Sequence, residues 1–202
     1  ANTEDVNAES LISEELAGSP VIKEKAGIHG STVWTLANGL KVIALPTEYK
    51  KDQVLFSLSM DGGRNNIPLE DLPSFEDNIW GIYQATTGVS KFSSTQLPKM
   101  LAGKRASASP DIGGYEHGIR GQSAPKDLET AFQLMYLLFA EPRFDAEEYA
   151  TGIQQIEAVL PNIENNPDFL FQNYVSEKLY GGNKRVVTLN DETLAKASLE
   201  TI

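Results

Sequence analysis

The stretch from Val33 to Gly63, VWTLANGLKVIALPTEYKKDQVLFSLSMDGG, decides the fold class. Asn38-Gly39 sits between two β-rich runs, and this dipeptide favours the positive φ angles of a type I′ hairpin turn. After a polar break, Val54, Phe56, Leu58 and Met60 alternate with Leu55, Ser57, Ser59 and Asp61, the pattern of a strand with one buried face. Gly62-Gly63 then stops it. Three antiparallel strands are therefore expected first, with helices after them.

Downstream, Leu69 to Thr87 reads as the first long helix, with Pro73 in its opening turn and Phe75, Ile79, Ile82 and Tyr83 on one stripe. Ser93 or Ser94 can cap a short helix that Gly103 ends. Lys104 to Ser109 and Tyr115 to Gln122 read as two further strands, joined by a turn from Pro110 to Gly114. Leu128, Ala131, Phe132, Met135, Leu138 and Phe139 recur at steps of three and four, which predicts a helix capped by Ser123 and stopped before Pro142. Asp145 and Glu148 open the next helix, with Tyr149, Ile153, Ile156 and Leu160 inward and Pro161 as its stop. Asn166-Pro167 caps another, in which Phe171, Val175 and Leu179 lead to Gly181-Gly182. A last helix opens at Asn190 and Asp191. Strands before helices predict an α+β fold: two layers, with helices packed on one face of a mostly antiparallel sheet.

Upstream, residues 1–31 are acidic and broken by Gly18, Pro20, Gly27 and Gly30, a composition suited to a linker on the surface. The 202 residues allow one domain with a real core, and 41% are apolar. No apolar run reaches the roughly 20 residues of a membrane span. The net charge of −11 repels phosphate backbones, which argues against nucleic acid as a partner. Cysteine is absent, so disulfides, thiol nucleophiles and thiolate zinc sites are excluded. The chain starts at Ala1 without a signal peptide's pattern and stops at Ile202 without a helix stop signal. A fragment of a longer polypeptide is expected.

The opening stretch resembles the start of the second half of the long bacterial insulinase/pitrilysin-type (inverted zincin) zinc metallopeptidases. There W-T-L-x-N-G-x-K-V, a P-T, a Lys-containing turn and a strand ending in G-G recur. The resemblance continues through LPKMLAGKRASASPDI (Leu97 to Ile112) and LETAFQLMYLLFAEPRFD (Leu128 to Asp145), and resumes at NNPDFLFQNYVSEKLYGGN (Asn165 to Asn183). It implies a non-catalytic repeat domain at 32–202, incomplete at its C-terminus, behind a connector between two halves at 1–31. It further implies zinc in the catalytic half of the parent chain, that half and peptide substrates as partners, and a bacterial periplasm or cell envelope as location. Enclosure by such a domain would exclude folded proteins and hold extended peptides near the zinc.

Enzymes of that family hold zinc with H-x-x-E-H on a helix: two histidines one turn apart ligate, and the Glu activates the metal-bound water. This chain has two histidines in all, His29 and His117, far apart. On the Leu69 to Thr87 helix, where the family places its motif, stand Ile79, Ile82 and Tyr83, which neither bind zinc nor move a proton at neutral pH. No catalytic, cofactor-binding or metal residue is therefore assigned. His117 beside Glu116 reads as a solvent-edge histidine, and His29 falls in the linker. Glu76 and Asp77 point apart on a helix, while Glu147 and Glu148 complement a helix N-terminus. Gly118-Ile119-Arg120-Gly121 lacks the spacing of a dinucleotide loop, and Pro98 stands where a phosphate loop ending at Gly103-Lys104 needs its first Gly. Gly62-Gly63-Arg64 reads as a strand-ending turn. Phe132, Tyr136, Phe139, Phe169, Phe171 and Tyr174 are expected in core or interdomain packing. The readings left open are a peptidase chamber wall, a scaffold descended from the family, and a peptide-binding module.

Overall fold

In a computed structural model that describes residues 10–202, the Asn38-Gly39 hairpin forms, but with a different turn. The Leu36 carbonyl accepts from Gly39 N–H at 2.9 Å, and Leu36 N–H donates to the Leu40 carbonyl at 2.8 Å. Only Gly39 is left-handed, with φ 90°. The loop thus has three residues with a bulge at glycine, in place of type I′. The Asn38 side chain accepts from Leu40 N–H at 3.1 Å, an Asx-type contact that holds this turn.

The hairpin strands β2 (Thr32–Leu36) and β3 (Lys41–Ala44) form one antiparallel sheet with β1 (Val21–Ala26), in the order β1-β2-β3. Residues 21–26 are thus a strand within the stretch read as irregular linker; residues 1–9 of that stretch lie outside the described residues. The strand β4 (Val54–Asp61) alternates in burial as expected, yet it does not pair with β3. It belongs to a second antiparallel sheet with β5 (Ala106–Ile112) and β6 (Glu116–Ser123), in the order β4-β6-β5. Alternation fixes which face of a strand is buried and says nothing of its partner. Pro110 lies in β5 and not in the following turn; β5 is an edge strand, where a missing N–H is tolerated.

At the centre of β6, Gly121 stands opposite Phe56. A Cβ there would lie 2.3 Å from the Phe56 ring and 2.4 Å from the Ser107 carbonyl, so the ring covers the glycine. Phe132 of α3 (Leu128–Ala140) meets Phe56 edge-on at 5.3 Å. Toward the sheet α3 buries Thr130, Ala131, Leu134 and Leu137, the last two in a core with Leu11, Val89, Phe92 and Met100. Of the expected stripe only Ala131 is buried; Phe132 is 45% and Phe139 60% exposed. A helix that is apolar nearly all round does not reveal its inner face by periodicity. Ser123 is no cap either: it ends β6, and the turn Pro125–Asp127 leads into the helix.

A second core joins α1 (Asp77–Thr86), α4 (Ala146–Glu164) and α6 (Asp191–Lys196) through Ile79, Tyr83, Tyr149, Ile156, Leu160, Leu189 and Leu194. The helix expected over 69–87 is split at Glu76, whose ψ of 142° is extended. Its carboxylate accepts from Asn78 N–H at 2.9 Å and Ile79 N–H at 3.3 Å, so Glu76 caps α1. Ser93 and Gln96 exchange bonds as a capping box before α2 (Gln96–Met100). Asp145 caps α4 by accepting from Glu148 N–H at 3.0 Å. That helix runs through Pro161 for one more turn, where the proline removes a single hydrogen bond. Asn166 caps α5 (Pro167–Tyr180), and Gly181 ends it at φ 62°. The fold is α+β, with its antiparallel strands in two small sheets. Among the described residues no helix is long and apolar enough to cross a membrane.

Candidate functional site

The face of α1 on which the family resemblance expects a metal motif is sealed. Ile79 is 0% exposed, Tyr83 packs between Trp80 (ring centroids 4.9 Å apart) and Phe144 (5.7 Å), and Ile82 presses on Gly152 of α4. Burial raises the hydroxyl pKa of both Tyr83 and Tyr149, which keeps both neutral at physiological pH. The Tyr149 hydroxyl is buried with no hydrogen-bond partner among the described residues. These are hydrocarbon and neutral phenol groups, and they do not suit zinc, which needs imidazole, thiolate or carboxylate donors. Among the described residues no cluster of three or more His, Cys, Asp or Glu could hold a metal ion.

The other candidates are occupied structurally. His117 lies in β6 opposite Met60 and Ile112, and borders a hollow of about 370 Å³ with Asp61, Asn66 and Asp71. Its neighbour Glu116 accepts from the Ser59 hydroxyl at 2.6 Å, so the two form no dyad. His29 sits in a short exposed turn at φ 54°. Glu76 caps α1, whereas Asp77 pairs with Arg64 at 2.6 Å. Glu148 accepts from the Ser94 hydroxyl, and Glu147 lies in the first turn of α4. The Gly62 and Arg64 amides donate to the Tyr115 and Gly113 carbonyls, so they are not free to cradle an anion. Lys104 Nζ donates to Thr130 Oγ1 at 3.1 Å, and the glycines of Gly118 to Gly121 serve close strand packing.

One feature escapes motif reading. Residues 10–16 run beside α3 and leave an open groove of about 740 Å³, lined by Ile12, Leu16, Leu128, Phe132 and Tyr136 with Glu14, Glu15 and Glu129 at its rim. Leu11 is buried in the core, and Gln133 Oε1 accepts from Leu11 N–H at 3.2 Å and from the Ser10 hydroxyl at 3.0 Å. The sequence signal was the four-residue step Leu128, Phe132, Tyr136, masked by the equally apolar inner face.

No family model matches the chain. A zinc protease PQQL-like protein of Arabidopsis thaliana is 29% identical over 155 residues, which cover 76% of this chain and 14% of that protein. The crystal structure of the periplasmic protease PqqL from Escherichia coli superimposes with a TM-score of 0.72 at 16% identity, over 95% of this chain and 21% of that one. A mutant of the ferredoxin protease FusC, solved in complex with Arabidopsis ferredoxin, gives 0.66 at 18% identity, over 94% and 21%. The chain therefore spans a small part of the proteins it matches, and it is a homologue, over that part, of the insulinase (pitrilysin-type) zinc proteases.

Proposed function

We propose that this chain is a non-catalytic domain of an insulinase-type zinc endopeptidase and forms part of the wall of its substrate chamber. The observation that carries the reading is the interior of the α1–α4 interface, where Ile79 and Tyr83, on the helix that the family resemblance aligns with the zinc motif, are buried in an apolar core. Such a wall contributes by enclosure and positioning, while a second half of the same polypeptide supplies zinc as the Lewis acid. Residues 1–31 are the connector between the halves and 32–202 the domain. The helix α5 supports the reading: it has no buried residue, and its exposed Phe171, Tyr174 and Leu179 are left for packing against another part of the protein. The periplasm, where the relative from Escherichia coli acts, is the proposed location.

The test is metal analysis after exhaustive dialysis. About one zinc per intact polypeptide, with none retained by the 202-residue chain, is expected. Stoichiometric zinc on this chain would overturn the non-catalytic assignment, and an intact polypeptide without zinc would favour a scaffold.

A further inference from the structure

The groove along α3 exposes a row of large apolar side chains. A helix that is apolar nearly all round gains from having both faces covered, and the face of α3 that carries Leu128, Phe132 and Tyr136 is covered only in part, by Phe56 and residues 10–16. Phe132 is 45% and Tyr136 40% exposed, and Phe139 continues the row at 60%. Leu128, Phe132 and Tyr136 repeat every four residues, about 6 Å along the helix axis. That spacing is close to the roughly 6.7 Å between alternate side chains of an extended polypeptide. The rim is anionic. Glu14, Glu15 and Glu129 surround the apolar floor, and among the described residues none of the three joins an ion pair. Glu129 accepts from the neutral Gln133 amide at 3.2 Å.

From this geometry we infer that the groove binds an extended polypeptide segment in which large apolar side chains alternate with Lys or Arg. Apolar side chains would lie on Leu128, Phe132 and Tyr136, and the cationic ones would reach the three carboxylates. Buried area supplies affinity, and the charges choose the sign of the partner. Such a site selects among peptides without taking part in bond cleavage, and it does not depend on a zinc half being joined to the chain.

The test is fluorescence anisotropy with the 202-residue chain and a short fluorescein-labelled peptide alternating Lys with Leu or Phe. Because the whole chain is acidic, a control variant removes three distant carboxylates, Glu157→Gln, Glu164→Gln and Glu177→Gln. Saturable binding is expected, weakened at least about tenfold by the Glu14→Gln, Glu15→Gln, Glu129→Gln triple variant and little by the control. Phe132→Ala with Tyr136→Ala should weaken it similarly, with folding checked by circular dichroism. A peptide with Glu in place of Lys should not compete. Absence of binding, equal loss in both triple variants, or equal competition by the Glu peptide overturns the inference. So does concentration-dependent dimerisation abolished by the rim variant, which would assign the groove to a second copy of the chain.

Discussion

Ile82 of α1 occupies the space that a side chain on Gly152 of α4 would need. A Cβ added to Gly152 would stand 2.4 Å from Ile82 Cγ2, a stiff β-branched methyl that cannot swing away. Glycine at this point sets the distance between the two helices, and with it the closure of the interface around Ile79 and Tyr149.

A double-mutant cycle follows. Gly152→Ala alone gains up to about 1 kcal/mol of helix propensity but overpacks at a cost of about 1–3 kcal/mol, so net destabilisation is expected. In an Ile82→Ala background the clash is gone, and the same substitution should stabilise. Urea denaturation of the four proteins checks the sign reversal; a Gly152→Ala effect of equal sign in both backgrounds would contradict the interlock.

A sealed core position and a half-exposed one should respond differently to truncation. Ile79→Ala should cost about 2–5 kcal/mol, as for a sealed site. Phe132→Ala, with its ring half exposed, should cost only about 1–2 kcal/mol, below the usual 3–5 of a buried Phe. Equilibrium unfolding that ranked Phe132 above Ile79 would place Phe132 in the core.

Much of this was legible in the sequence. Asn38-Gly39, the alternation from Val54 to Asp61, and the caps at Asp145, Asn166 and Asn190 each act within a few residues, and the structure contains them. What sequence could not supply were long-range choices. The polar link after β3 gives no sign that β4 joins β6 in another sheet, and an all-round apolar α3 hides which face turns inward. Glu76 falls inside the helix expected over 69–87, although its carboxylate starts a new helix. The groove went unread because its walls come from residues 10–16 and α3, far apart in the chain.

Acid should act through the cap of α4. Hydrogen bonding from the Glu148 amide, then from the Arg143 side chain, holds the Asp145 carboxyl below its ordinary pKa. A lowered folded-state pKa means stabilisation that is complete above the unfolded value and lost as pH falls through the folded one. Asp145→Asn keeps a capping oxygen but removes the charge. Denaturation midpoints of wild type and variant should therefore differ at neutral pH and converge in acid. A gap that widens as pH falls would reverse the assignment.

The most direct measurement of the chamber-wall reading is cleavage of a fluorogenic unfolded peptide by three forms: the intact polypeptide, the same polypeptide lacking this domain, and this chain alone. The account predicts activity in the first, abolished or sharply lowered turnover in the second although its zinc ligands remain, and none in the third. Positioning and enclosure can supply about 7–11 kcal/mol of a barrier, and an open half-shell provides little of either. Undiminished cleavage without the domain, or chelator-sensitive cleavage by this chain alone, would contradict it.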